Sequence, residues 1–247
     1  MRIYTYYEDI QFLNQEKLID VWESSWKNKG FDPVVLTRSD AEKNSLFSEF
    51  EDKMQKLHTE IMGKPVMGYG MSCYYRWLAY GALNDRDAFY VSDYDVINRS
   101  WSPIEPLNRL HLLDEDCPCL ASGTAEQMQN ISELFLSLTE SRLGYLKSKR
   151  NSPNMPWYHD QEFFTYNFTL PHNPEVSRLK IKEKVILTRD KGWIAGGKYD
   201  PKHKSESDLL HISHFCVERF IERNQEYKGC NIDNLRVELA REYMENS

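Results

Sequence analysis

The chain has 247 residues, 40% of them hydrophobic and 13% aromatic, with a formal net charge of -7. That is enough apolar material for one sizeable core, which excludes global disorder and favours one large domain over two small ones. The acidic balance argues against a nucleic-acid partner, because phosphate binding draws on a basic excess. No apolar run reaches the roughly 18 residues a membrane span needs, and MRIYTYYEDIQ lacks the apolar stretch of a signal peptide, so a soluble cytoplasmic protein is expected.

Taken in chain order, Arg2 to Tyr7 alternates and reads as a first strand. Asn14 opens a helix to about Lys29, with Leu18, Ile19, Trp22 and Trp26 on one face, and Gly30 ends it. Pro33 to Thr37 is a second strand, and Ser45 to Ile61 a second helix. Cys73 to Leu83 is an aromatic helix, and Ala88 to Val91 a buried strand. Leu110 to Leu113 and Cys119 to Ala121 are short strands, and Ser122 or Thr124 caps a long helix from Ala125 to Lys147. Ser152 to Pro156 is a loop, Gln161 to Phe168 a helix and Lys184 to Leu187 a strand. Gly192 to Ser207 reads as a mobile loop, and helices from Ile212 to Asn224 and Ile232 to Tyr243 close the chain. Strand and helix alternate from the start, so the expected fold is α/β: one doubly wound, Rossmann-like mixed sheet flanked by helices.

The five cysteines (Cys73, Cys117, Cys119, Cys216 and Cys230) are odd in number and contain no C-x-x-C pair, which argues for reduced thiols, mostly buried. Cys117-Pro-Cys119 is too tight for a familiar zinc half-site. Sequons at Asn98, Asn130 and Asn167 mean little without an export signal.

The informative stretch is AFYVSDYDV, which sets Asp93 and Asp95 at the end of an apolar strand. In an open α/β sheet, ligands bind beyond the carboxyl ends of the strands. Residues two apart on an extended segment point the same way, so both carboxylates converge. Held close, they repel unless a cation sits between them. Mg²⁺ and Mn²⁺ take oxygen ligands and complete their shell with water and phosphate oxygens, so the pair suits a metal that holds a diphosphate. Two other D-x-D pairs occur. Asp85/Asp87 precedes its strand, while Asp114/Asp116 follows Leu110 to Leu113 and competes.

With those residues in view, SCYYRWLAYG followed by FYVSDYDV resembles the core signature of the GT-A-fold, nucleotide-sugar-dependent glycosyltransferases. Ser72, Arg76, Trp77, Gly81, Asp93 and Asp95 fall in that superfamily's order. It departs from the group with S-D-x-x-R-Y and a Gly pair: Cys73 stands where Asp is common, and Gly81 with a polar turn, residues 84 to 87, replaces the glycines. The resemblance covers closely only the two quoted strings. It implies one GT-A-like domain over 1–247, with a nucleotide-sugar half at 1–125 and an acceptor-side half with the C-terminal helices at 126–247.

The resemblance also implies roles. Tyr4, Thr5, Tyr6 and Thr37 would meet the nucleotide, against the alternative of ordinary strand residues. Arg76 would contact diphosphate or sugar, or else pair with Asp93. Asp93 would face sugar or ribose hydroxyls as well as the metal, and Asp95 would ligate the metal. CLASGTAEQ would floor a sugar pocket, or simply form a capped turn. In WYHDQEFF, Asp160 would be the general base, with His159 as runner-up and helix capping as the plain alternative. His214, ahead of His211, would complete the metal shell, both on one helical face. Lys191, Lys198 and Gly196-Gly197 would form a lid, Lys198 meeting the diphosphate.

The implied reaction is metal-dependent transfer of a sugar from a nucleoside-diphosphate donor, UDP-sugar first, to a hydroxyl acceptor on a glycan or polysaccharide, with Mn²⁺ or Mg²⁺ as cofactor. With Asp160 as base the transfer inverts; without it a retaining route is open. The rivals are a metal-dependent nucleotidyl or phosphoryl transferase, disfavoured by the lack of an early Gly-rich loop, and a degenerate, non-enzymatic sugar- or nucleotide-binding relative.

Overall fold

The computed structural model of the chain describes residues 1–10, 15–66, 68–102, 109–113, 117–150, 158–169, 185–187, 194–195 and 208–245. In chain order the elements are β1 (Arg2–Tyr6), α1 (Gln15–Lys27), β2 (Asp32–Leu36), α2 (Arg38–Ala41), α3 (Phe47–Met62), α4 (Tyr69–Gly81), β3 (Phe89–Ser92), β4 (Val96–Asn98), β5 (Leu110–Leu112) and β6 (Leu120–Gly123). There follow α5 (Ala125–Ser141), α6 (Leu143–Lys149), α7 (Asp160–Phe164) with a π turn (Thr165–Thr169), β7 (Val185–Leu187), β8 (Ile194–Ala195), β9 (Leu209–His211), α8 (His214–Arg223), a 3₁₀ turn (Gln225–Tyr227) and α9 (Ile232–Glu245).

A six-stranded sheet runs in the order β2-β1-β3-β6-β5-β7. β1 pairs in parallel with both β2 and β3; β6 is antiparallel to β3 and β5, and β7 is parallel to β5. The expected mixed α/β sheet is therefore present. A second, three-stranded sheet, β4-β9-β8, was not legible beforehand. Its strands are two or three residues long, too short for a period-2 pattern.

Alternation along the central strands builds a core on each face of the main sheet. Tyr4, Tyr6, Phe89 and Val91 pack with Phe50, Tyr74, Trp77 and Phe135 from α3, α4 and α5. Ile3 and Tyr90 pack on the other face with Trp22, Trp26, Trp101, β9 and the two closing helices. Gly81 permits the close crossing of α4 on α5: a Cβ there would stand 3.1 Å from the Gln129 Cα.

Several expected boundaries move for physical reasons. The aromatic helix α4 starts at Tyr69, behind Gly68, whose φ of 53° stops the helix on that side. The single helix expected from Ala125 to Lys147 breaks at Arg142, whose buried guanidinium donates to Tyr166 O at 2.9 Å and to Asn167 Oδ1. Thr124 rather than Ser122 caps α5, with Thr124 N donating to Gln127 Oε1 at 2.9 Å. CLASGTAEQ is thus a fully buried strand running into a capped helix. The helix expected from Ile212 starts at His214, because Ser213 caps it and Leu209–His211 is strand. No cysteine is in a disulfide among the described residues; Cys73 and Cys119 are buried, Cys117 and Cys216 are half-buried and Cys230 is exposed. Within the loop expected from Gly192 to Ser207, Ile194–Ala195 is instead strand β8, held by its parallel pairing to β9. Asn14, Asp114 and Asp116, the loop 152–156, Lys191, residues 192–193 and residues 196–207, with Gly196, Gly197 and Lys198, lie outside the described residues.

Candidate active site

The carboxyl ends of β1, β2 and β3 share one edge of the sheet, and the acidic pair sits there. The pair is not extended, as its spacing suggested. Val96 N donates to Asp93 O at 3.0 Å, which closes Asp93–Val96 into a turn joining β3 to β4. Asp93 N donates to Cys119 O and Ile212 N to Asp95 O, both at 2.8 Å, so β6 and the segment after β9 pin the turn from two sides. The carboxylates converge through this turn rather than through strand alternation.

Two cationic networks meet the pair. Arg76, on α4, pairs with Asp93 Oδ1 through Nη1; its Nε donates to Asp160 Oδ2 at 2.9 Å and its Nη2 binds the same oxygen. Arg236, on α9, donates from Nη2 to Asp95 Oδ2 at 2.7 Å and from Nε to Ile212 O at 2.8 Å. The other oxygen, Asp95 Oδ1, is buried and makes no hydrogen bond among the described residues, with His211 Nε2 3.4 Å away. One ligand atom from each of Asp93, Asp95 and His211 lies within 4.8 Å of the other two. The Asp93 side chain is 25% exposed, so the cluster opens to solvent on that side.

The donor set fits a hard divalent ion. Two carboxylates and one imidazole, with an open side for water or phosphate oxygens, suit Mn²⁺ or Mg²⁺. The charged neighbours also set the protonation of the site. Burial lowers the His211 pKa, but the adjoining Asp95 carboxylate lifts it well above the ordinary histidine range. Burial raises Asp95, yet His211 and Arg236 hold it below the usual carboxylate range. Burial and the neighbouring Asp95 push Asp93 up against the pull of Arg76.

The other nominated residues divide. His214 is not on one helical face with His211: it begins α8, its Nε2 lies 2.8 Å from Asp233 Oδ1 and 3.2 Å from Arg236 Nη1, and burial then Arg236 lower its pKa. Asp160 is the first residue of α7, and the capping expected of it falls to His159, whose Nδ1 accepts from Gln161 N at 3.3 Å. Asp160 is 1% exposed; Trp77 Nε1 donates to its Oδ2 at 2.9 Å, and His159 Nδ1 stands 3.3 Å from its Oδ1. Burial raises Asp160, but Arg76 and His159 outweigh it and hold the carboxyl at about 2. A carboxylate so engaged is a weak proton acceptor.

Tyr4 faces away from this edge, its hydroxyl bound to Asp85 ahead of β3. Thr5 is fully buried, with its hydroxyl unpaired among the described residues. The Tyr6 hydroxyl donates to Glu8 Oε2 at 3.1 Å, and Ser72 donates to the same oxygen at 2.7 Å. Thr37 is exposed ahead of α2, with its N–H donating to Asp40 Oδ2 at 2.8 Å. The sequence reading missed Glu8 and Arg236. The latter left a signal: α9 is periodic, and Arg236 shares a face with Leu239, Ala240 and Tyr243, where an unpaired charge would be costly.

No protein-family model matches the chain, and no curated protein matches it. Among solved structures, a glycosyltransferase involved in the glycosylation of the major capsid of PBCV-1 is similar over 97% of this chain and 98% of its own, at 11% identity and a TM-score of 0.43. The apo-form glycosyltransferase GlyE of Streptococcus pneumoniae TIGR4 is similar over 98% of this chain, at 12% identity and a TM-score of 0.44; the chain spans 64% of that protein's length. With TM-scores below 0.5, these likenesses carry no weight on what the site does. Among the described residues no helix is long and apolar enough to cross a membrane.

Proposed function

We propose that the chain is a metal-dependent glycosyltransferase that moves a sugar from a nucleoside-diphosphate donor, UDP-sugar first, to a hydroxyl acceptor on a glycan or polysaccharide. The observation that carries this reading is the convergence of Asp93, Asp95 and His211 at the carboxyl edge of parallel strands, with one buried Asp95 oxygen that makes no hydrogen bond among the described residues and faces His211 at 3.4 Å. Those three residues would hold Mn²⁺ or Mg²⁺, with His211 in the place first given to His214. The bound ion would supply charge stabilisation for a leaving diphosphate.

The chain's own residues do the rest. Arg76 presents a planar fork beside Asp93, suited to a sugar hydroxyl or a phosphate oxygen. Asp160 and Trp77 hold that fork in place, so Asp160 acts here as a positioning residue rather than as the base. That assignment leaves the retaining route open. Tyr6 and Ser72 fix Glu8 at the end of β1, where a nucleotide would enter.

The experiment is a donor-hydrolysis screen over UDP- and GDP-sugars, with and without Mn²⁺, repeated on Asp93→Asn. Metal-dependent hydrolysis that falls at least a hundredfold in the variant is expected. Equal activity in the variant would move the site elsewhere, and no hydrolysis or binding with any donor would favour the degenerate-relative reading.

A further inference from the structure

Cys117 and Cys119 flank Pro118 just ahead of β6, and neither belongs to the oxygen-rich cluster described above. The tertiary structure supplies what their tight spacing lacks. β9 brings in His211, so that both Sγ atoms and one imidazole nitrogen lie within 4.8 Å of one another. Cys119 is fully buried, and its carbonyl accepts the Asp93 N–H at 2.8 Å. His211 pairs with Val96 in the central strand of the small sheet. Neither cysteine is in a disulfide.

We propose that Cys117, Cys119 and His211 form a binding site for a thiophilic divalent ion, Zn²⁺ foremost, with water in the fourth tetrahedral position. Thiolate and imidazole ligands select this class of ion, whereas the neighbouring carboxylates select Mn²⁺ or Mg²⁺. The ion is held by two thiolates and a neutral imidazole, so the protons on both sulfurs and on the ligating His211 nitrogen leave as it binds. Because His211 belongs to both ligand sets, an ion held by the cysteines draws on the imidazole that Asp95 faces. A soft ion therefore weakens whatever the carboxylate pair binds; this last consequence rests on the proposed function, while the thiolate site stands without it.

Co²⁺ is the probe, titrated into the full chain kept reduced by a phosphine. A thiolate-to-cobalt charge-transfer band in the near ultraviolet, with visible bands of a tetrahedral ion, is expected, and Zn²⁺ should abolish both. Cys117→Ser and Cys119→Ser should each lose about half or more of the charge-transfer band, the double variant should lose all of it, and His211→Asn should lose the tetrahedral visible bands. Cys230→Ser, at an exposed cysteine, should keep everything. Should Cys119→Ser fail to fold, Cys117→Ser decides, since its side chain is only half-buried. A wild-type protein without the band, or single serine variants that retain it at full intensity, would overturn the proposal. Neither result depends on glycosyl transfer, which the donor screen tests separately.

Discussion

Arg236 Nη2 lies 2.7 Å from Asp95 Oδ2, joining residues 141 positions apart in a pair that is almost wholly buried. This contact holds the closing helix against the turn that carries the acidic pair. Removing one member of a buried ion pair strands the other charge, at a cost of about 3–5 kcal/mol. Arg236→Leu should therefore lower stability by about that amount. Arg236→Leu with Asp95→Asn should recover much of it. Urea denaturation of the two single variants and the double variant completes the cycle, and simple additivity would show that the pair is not coupled.

Metal binding should discriminate between the two histidines. His211→Ala should weaken Mn²⁺ binding at least tenfold, whereas His214→Ala, whose ring is turned to Asp233 and Arg236, should change it less than twofold. Titration calorimetry, or the electron paramagnetic resonance of free Mn²⁺, reads both. The opposite order would return His214 to the metal shell.

Asp160 should leave a mark on acid stability. Its carboxyl is held at about 2 in the fold, against 3.8 ordinarily. A lowered folded pKa stabilises above the unfolded value, and that contribution is lost as pH falls from about 4 through about 2. The difference corresponds to about 2 kcal/mol. In the wild type this share should disappear between pH 5 and pH 2, while Asp160→Asn, lacking it throughout, should show a flatter profile. Urea midpoints at several pH values measure the slope, and parallel profiles would contradict the assignment.

Gly81→Ala tests the crossing of α4 and α5. Ala is the better helix former by about 1 kcal/mol. The added Cβ would nonetheless stand 2.8 Å from Gln129 Oε1 and 3.1 Å from its Cα and N. Backbone cannot swing aside as a side-chain tip can, and overpacking costs about 1–3 kcal/mol. A net fall in melting temperature is expected; a rise would show that the helices part freely.

Local chemistry made much of the main sheet readable. RIYTY and the apolar AFYV read as strands and are buried on both faces, while the amphipathic α1 and α5 bury the face that their own spacing defines. The acidic pair was readable as well, because carboxylates ending an apolar strand stand out against their surroundings. The small sheet was not, since strands of two or three residues carry no period.

What the sequence by itself determined, then, is the α/β character, the strand that delivers Asp93 and Asp95, and the helix that carries Arg76. What only the tertiary structure decided is the company those residues keep. His211 rather than His214 faces Asp95, Arg236 neutralises it, and Asp160 is tied to Arg76 and Trp77. The physical reason is that partners of a buried charge are chosen by proximity across long loops, 84 residues for Arg76 with Asp160 and 141 for Asp95 with Arg236, and spacing along the chain holds no record of such closures.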